Sequence, residues 1–524
     1  MEAEVPKVFQ NPIVRGTNPD PSVVRVGTDY YLATSSFGML PGIVIRHSTN
    51  LIDWLIIGAA VTRPSQYRRD GRAEAIELFA PTLRHHEGVF YLVCTNMADD
   101  QGNFLVTASD PAGEWSEPIW LDEEGFDPSL LFADGICYYT RRSISRLRHG
   151  TVHLGPVVQA ELDVSTGCLG EFRAISPESG GFCSNDIEGP HLYKIADWYY
   201  LFSAEGGSWS GHMQTCARSR SPWGPFEPAP HNPVLTHRHR VGHPIQTLGH
   251  ADLVDAPDGS WWALCLGTRH QSNNGFVVHH NLGRETFLAP VRWTADGWPV
   301  IGDEGTIEPT MVAPKLGDAP ARGPRPIPAP SPWTSGWRTL GLPPDDLDAR
   351  EPLIRLPFGD ALNSTQLGSG IGALLLAQTE DDQIFSATLE ALDPDGAAGV
   401  AVFSDREHHF EALLRFAHDG SLIGEFHKVV DDFDTVASFE VPNEFPLVLS
   451  ITATQNDYRF SVGTVGDAPF EVGSGRARLL SAQAAEWFVG AHFALLSRSD
   501  AGTPGHAVFT SAGFVEPKMQ ARGR

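Results

Sequence analysis

Positive charge is scarce in this chain. Thirty-eight Lys and Arg stand against 64 Asp and Glu, a net charge of −26 over 524 residues. A field of that sign repels phosphate backbones and anionic lipid, which argues against nucleic-acid and membrane partners and leaves a neutral ligand unaffected. Cysteine is scarce too. The six, Cys94, Cys137, Cys168, Cys183, Cys216 and Cys265, lie far apart without a CxxC pair. That pattern suits reduced, mostly buried thiols better than a disulfide or zinc framework. No run approaches ~18 consecutive apolar residues, the length needed to span a bilayer. The opening MEAEVPKVFQNPIVRG has neither the basic nor the apolar segment of a secretory signal, so a cytoplasmic location is expected.

What the chain does have is turn formers and aromatics: 52 Gly, 40 Pro, 28 Phe and 13 Trp. This mix suits many short strands joined by tight turns. Five segments share one pattern: DPSVVRVGTDYYLATS at 20–35, FAPTLRHHEGVFYLVCT at 79–95, DPSLLFADGICYYTRR at 127–142, EGPHLYKIADWYYLFS at 188–203 and HADLVDAPDGSWWALC at 250–265. Each begins with an anchor residue, runs through a short apolar strand and a turn, and opens its second strand with an aromatic pair. The anchors Asp20, Phe79, Asp127, Glu188 and His250 are 59, 48, 61 and 62 residues apart, room for about four strands per repeat. One such sheet cannot bury both faces alone, whereas five packed radially can. The aromatic pairs are expected to pack between neighbouring blades.

Equivalent starts of the inner strands should meet at one mouth of the central channel. Three of the five anchors are carboxylic acids: Asp20, Asp127 and Glu188. Converging carboxylates can bind a hard cation, or can divide acid and base roles because like charges and unequal solvation separate their pKa values. Glycoside hydrolysis needs that division, with one protonated donor to the leaving oxygen and one ionised partner.

The chain resembles glycoside hydrolase family 43, whose β-xylosidases and α-L-arabinofuranosidases are five-bladed β-propellers, commonly with a C-terminal β-sandwich. The resemblance rests on NPDPS at 18–22, FDPSLLFADG at 126–135, EGPHLYK at 188–194, AEGG at 204–207, ARSRSPWGPFE at 217–227, GHADLV at 249–254 and LGRETFLAPV at 282–291. It implies an exo-acting, inverting enzyme that removes terminal α-L-arabinofuranosyl or β-D-xylosyl units from plant-derived oligosaccharides. Asp20 would be the general base, Glu188 the general acid, and Asp127 the residue that orients the acid and raises its pKa. Arg284 would hold the terminal sugar, Phe37, Phe79 and Ala80 would line the pocket, and His250 would sit in the channel, beside Ca²⁺ in some relatives. Phe79 stands where relatives usually carry Trp. The stretch Gly180–Asp186 ahead of the acid is longer than the family pattern, which makes Asp186 a rival for the acid role. No cofactor is required on this reading, a structural Ca²⁺ in the channel is an open alternative, and a homo-oligomer is allowed.

Residues 314–333 are dense in proline and read as a linker between a propeller domain at 1–313 and a β-sandwich at 334–524. Alternating runs such as QIFSATLEAL at 383–392 and PLVLSITATQ at 446–455 support the sandwich, expected to be a lectin-like jelly roll. His408 and His409 would face opposite sides of a strand and so make no metal pair. His279 and His280 are candidates for the pocket edge. Two other readings compete with the enzyme: a sugar-binding propeller without activity, which predicts loss of an anchor acid, and a Ca²⁺-stabilised scaffold with the acids as ligands.

Overall fold

The structure, a computed structural model, describes residues 8–69, 76–98, 101–146, 152–178, 180–273, 277–313, 333–341, 347–349, 352–364, 370–499 and 502–515. The proline-rich linker lies outside the described residues except for Trp333. Contacts divide the chain into two compact units, Met1–His270 with Arg284–Pro328, and Gln271–Gly283 with Ala329–Arg524. Residues 271–283 therefore group with the second unit, although they lie inside the stretch expected for the propeller. Among the described residues, no helix is long and apolar enough to cross a membrane.

The first unit is a five-bladed β-propeller made of antiparallel sheets. Blade one contains Ser22–Val26, Asp29–Ala33, Gly42–Ser48 and Leu55–Val61; blade two contains Leu78–His86, Val89–Asn96, Gly102–Ala108 and Ile119–Asp122. Blade three opens with Phe126–Ala133 and Ile136–Arg146, blade four with Ile187–Ile195 and Trp198–Glu205, and blade five with Ile245–Asp255 and Trp261–Arg269. The first strand of each sheet touches that of the next, and Ile245–Asp255 returns to Ser22–Val26 to close the ring. Val8–Gln10 pairs with Thr310–Val312, tying the start of the unit to its end. The aromatic pairs pack as expected: Tyr31 meets Phe90 at 5.0 Å, Tyr91 meets Phe132 at 4.9 Å and Tyr200 meets Trp293 at 5.1 Å between ring centroids.

The repeat register differs from the sequence expectation at two places. Asp20, Ala80, Asp127, Gly189 and His250 all adopt left-handed backbone, with φ between 36° and 55°. In blades two to five the strand pairing slips across the same point, for example between Phe79 and Thr82 and between Glu188 and His191. The five equivalent residues are therefore these, and Phe79 and Glu188 each stand one residue ahead of the repeated position. The mismatch arose because Ala and Gly, the residues that fill the kink in blades two and four, carry no functional group to mark it. Proline follows the kink in four blades, where its fixed φ restores extended backbone.

Two residues further on, a buried ionic network crosses the channel. Arg84 of blade two grips Asp252 of blade five with both guanidinium nitrogens, at 2.9 and 3.1 Å. Asp252 also accepts from Ser22 Oγ at 2.8 Å and from the Tyr193 hydroxyl, and Arg84 Nη2 reaches His191 Nδ1 at 3.0 Å. Burial alone would raise the Asp252 pKa, but Arg84, His191 and these hydrogen bonds hold it well below the usual carboxylate range. One carboxylate thus links blades one, two, four and five.

The second unit is a sandwich of two six-stranded antiparallel sheets. One has the order Leu353–Pro357, His506–Phe514, Gln383–Leu392, Leu447–Ala453, Asp457–Thr464, Phe470–Arg476; the other runs Ala373–Ala377, His492–Arg498, Ala397–Phe403, His408–Phe416, Leu422–Val430, Phe433–Glu440. Phe385, Phe410, Phe460 and Phe493 fill the core between them. His408 bonds Asp405 at 2.9 Å, whereas the His409 ring lies 6.2 Å from that of Phe403, so the pair separates as the strand period requires. The His280 amide bonds Gln483 at 3.0 Å, so this segment is anchored within the second unit.

Replacing Asp252 with Ala leaves the Arg84 guanidinium buried without its counter-charge. The expected cost is about 3–5 kcal/mol of unfolding free energy, read from denaturant titration of the full chain.

Candidate active site

The five kinks turn the chain toward one end of the channel, and the described structure brings the predicted acids together there. Asp20 is buried, 4% exposed. Its Oδ2 accepts from Ser35 Oγ at 2.5 Å, and its Oδ1 lies 3.5 Å from both Arg284 Nη1 and His250 Nδ1. Ser35 Oγ in turn accepts the Ala80 N–H at 2.7 Å, which gives the kinked backbone of blade two a role in holding the base. Burial would raise the Asp20 pKa, but Arg284, His250 and the Ser35 hydrogen bond outweigh it, and the net direction is downward. Asp20 is held as a carboxylate.

Glu188 lives under the opposite balance. Its Oε1 accepts from Ser208 Oγ at 3.0 Å and lies 3.9 Å from His212 Nε2. Burial is the largest influence and raises its pKa; His250 and the Ser208 hydrogen bond oppose it, while Asp186 and Asp20 add to it. His212, buried with Nδ1 on the Thr247 carbonyl at 2.8 Å, is pushed down to about 4 by that burial and is neutral. It therefore supplies no charge to ionise Glu188. The two acids are bridged through side chains: Arg284 Nη1 contacts Asp20 at 3.5 Å and Ser208 Oγ at 3.4 Å, and Ser208 contacts Glu188.

Asp127 accepts the Gly189 N–H at 2.8 Å, fixing the peptide beside the acid. Its own pKa rises to about 7, first through burial, against the pull of His250 and with further push from Glu188 and Asp20. Gly189 is required here. A Cβ would lie 2.7 Å from His250 Nε2, and φ is 52°. Phe37, Phe79 and Arg284 form one wall, with the two rings 5.1 Å apart at 82° and the guanidinium 5.7 Å from the Phe37 centroid.

Asp186 does not take the acid position. Its Oδ1 meets Arg142 Nη1 at 3.3 Å. The long stretch before it wraps the buried Glu205 carboxylate, which accepts the N–H groups of Phe182, Cys183 and Ser184 at 2.7–2.9 Å. A Cβ on Gly181 would strike that carboxylate at 2.3 Å. Sequence reasoning missed Ser35, Ser208, His212 and Glu205. Ser35 closes the first repeat and Ser208 follows AEGG directly, so position beside a recognised motif was the available signal. Glu205 lies inside AEGG itself, whereas for His212 no local signal existed.

Calcium beside His250 finds a poor donor set. Ca²⁺ takes six to eight oxygens, and the carboxylate touching His250, that of Asp20, is already engaged by Ser35 and the cationic Arg284. Among the described residues, no group of three or more His, Cys, Asp or Glu is arranged to hold a metal. No step below involves one.

The family model for glycosyl hydrolases family 43 matches residues 9–299, and the β-xylosidase C-terminal concanavalin A-like domain matches 346–514. A non-reducing end α-L-arabinofuranosidase of Bacteroides ovatus is 39% identical over 482 residues, covering 87% of this chain and 85% of that protein. A xylosidase/arabinosidase of Butyrivibrio fibrisolvens is 41% identical over 306 residues, 56% of each. Among solved structures, the xylan β-1,4-xylosidase of Bacillus halodurans superposes with a TM-score of 0.85 at 28% identity, over 97% of this chain and 100% of that one. The matched stretch takes in all five blades and every side chain of the site, and on that basis the chain belongs to glycosyl hydrolase family 43 and is a glycosidase.

Proposed function

We propose that this glycosidase is exo-acting and inverting, and that it releases terminal non-reducing α-L-arabinofuranosyl or β-D-xylosyl units from plant-derived oligosaccharides. The observation that carries the mechanism is the opposed environment of two carboxyls joined through Arg284 and Ser208. Asp20 is stabilised as an anion by Arg284, His250 and Ser35 against its burial, and burial shifts Glu188 toward its protonated form. Support for pentose substrates comes from the arabinofuranosidase and xylosidase relatives. The unpaired cysteines support the expected cytoplasmic location.

In the reaction Asp20 takes a proton from water as the water oxygen bonds to the anomeric carbon. Glu188 gives its proton to the glycosidic oxygen as that bond breaks. One displacement inverts the anomeric centre, and solvent exchange then restores both protonation states. Arg284 and the Phe37–Phe79 wall hold the departing sugar. Asp127 fixes the Gly189 peptide, and with it the direction of the Glu188 side chain.

Asp20→Ala and Glu188→Ala should each lower kcat on nitrophenyl pentosides by about 10²–10⁴-fold with circular dichroism unchanged; near-normal rates would remove the role assigned. The pH–rate profile should be bell-shaped. Activity falls in acid as Asp20 gains a proton, below the usual carboxylate range, and falls in alkali as Glu188 loses its proton, above the usual glutamate value; a flat profile contradicts the pair. Proton NMR of the first sugar released should show the anomer opposite to that of the substrate. Retention would indicate a covalent intermediate instead.

A further inference from the structure

Arg142 has no exposed surface, yet its Nε and Nη2 make no hydrogen bond among the described residues. Its ion-pair partner is Asp186 Oδ1, at 3.3 Å. A buried guanidinium with one counter-ion is costly unless the pair serves position or function. Asp186 lies two residues before Glu188 along extended chain, so the two side chains leave on the same side. Both flank one short segment: Asp186 Oδ2 is 3.2 Å from where a Gly207 Cβ would stand, and the next residue, Ser208, holds Glu188 Oε1. The backbone beneath is pinned. Ser184 Oγ donates to the Asp186 carbonyl at 2.8 Å, Gly206 N–H donates to it at 3.0 Å, and the loop is wrapped around Glu205.

We infer that Asp186, clamped by the buried Arg142 against the Gly207–Ser208 segment that holds Glu188, is a positioning residue for the general acid: its fixed carboxylate opposes a second negative charge there. The inference rests on the reading of Glu188 as that acid. Among the described residues, the other charged or titratable groups facing Glu188 are Asp20 from blade one, Asp127 from blade three, His212 from blade four, His250 from blade five and, through Ser208, Arg284. After burial, which dominates, and His250, which opposes it, Asp186 is the next influence on the Glu188 pKa, and it acts upward. Asp20 acts in the same direction from blade one. The long loop of Gly180–Asp186 thereby acquires a purpose, since it delivers a second carboxylate beside the acid without competing for its place.

The test is the pH dependence of kcat/KM on a nitrophenyl pentoside, measured with the full chain. Asp186→Asn should move the alkaline limb toward lower pH by about 0.5–1 pH unit, the scale of one charge acting across several ångströms of partly screened protein. The acid limb, set by Asp20, should stay in place. Asp186→Glu should return the alkaline limb close to its original position, because the charge is kept. An unmoved limb with a uniform fall in rate, or equal shifts in the Asn and Glu variants, overturns the inference. Glu188→Gln on a dinitrophenyl pentoside, whose leaving group needs no proton, serves as the control, and its alkaline limb should vanish. A limb that persists there overturns the assignment of Glu188 and this inference with it. One that vanishes there but does not move in Asp186→Asn overturns the inference alone.

Discussion

Everything in the site depends on one backbone constraint, a left-handed residue at the head of each inner strand. Left-handed backbone costs an ordinary residue about 1–2 kcal/mol, and the fold accepts it at Asp20, Ala80, Asp127 and His250, with Gly189 completing the set. Without the kink, inner strands would run straight past the channel mouth, and their side chains would alternate between blade faces. With it, the kinked residue turns into the axis and the residue before it gains reach across the opening. Asp20 and Asp127 use the first arrangement and Glu188 the second. The acids are therefore not geometric equivalents, and their environments were free to diverge.

Divergence is the source of the chemistry. Burial acts on all three carboxyls in the same direction, so the differences come from neighbours. Asp20 alone has a guanidinium and a hydroxyl donor at hand, and it becomes the anion. Glu188 is pushed upward by burial, against His250 and the Ser208 hydroxyl, and its proton affinity rises. Asp127 accepts a backbone amide, which fixes the peptide beside Glu188. Arg284 joins these roles physically, touching the base on one side and the serine that holds the acid on the other. A single substitution there would remove the cation that lowers the Asp20 pKa and a partner of the serine that binds Glu188.

Much of this was readable in the letters. The repeat spacing and the aromatic pairs led to five blades because inter-blade packing needs a large ring at the same place in each. Asp20, Asp127 and Glu188 were found because titratable residues recurred at strand starts. The register error at Phe79 and Glu188 has a definite cause: the repeated feature is a backbone angle, and Ala80 and Gly189 satisfy it with no side chain to advertise it. Ser35, Ser208 and His212 escaped because each reaches its carboxyl from elsewhere in the same blade, 15 to 24 residues along the chain. Glu205 escaped for another reason. It lies in the AEGG motif, but its carboxylate organises a loop by accepting backbone N–H groups, and the motif does not announce which loop will close around it.

The central claim is that two carboxyls joined through Arg284 and Ser208 are driven apart in proton affinity by their neighbours. It is tested most directly by carboxyl ¹³C NMR titration of the free enzyme with labelled Asp and Glu, the Asp20 and Glu188 signals being assigned by loss in Asp20→Asn and Glu188→Gln. The account predicts that Asp20 titrates below the ordinary aspartate range and Glu188 above the ordinary glutamate range. Two signals titrating together at ordinary carboxylate values would contradict it.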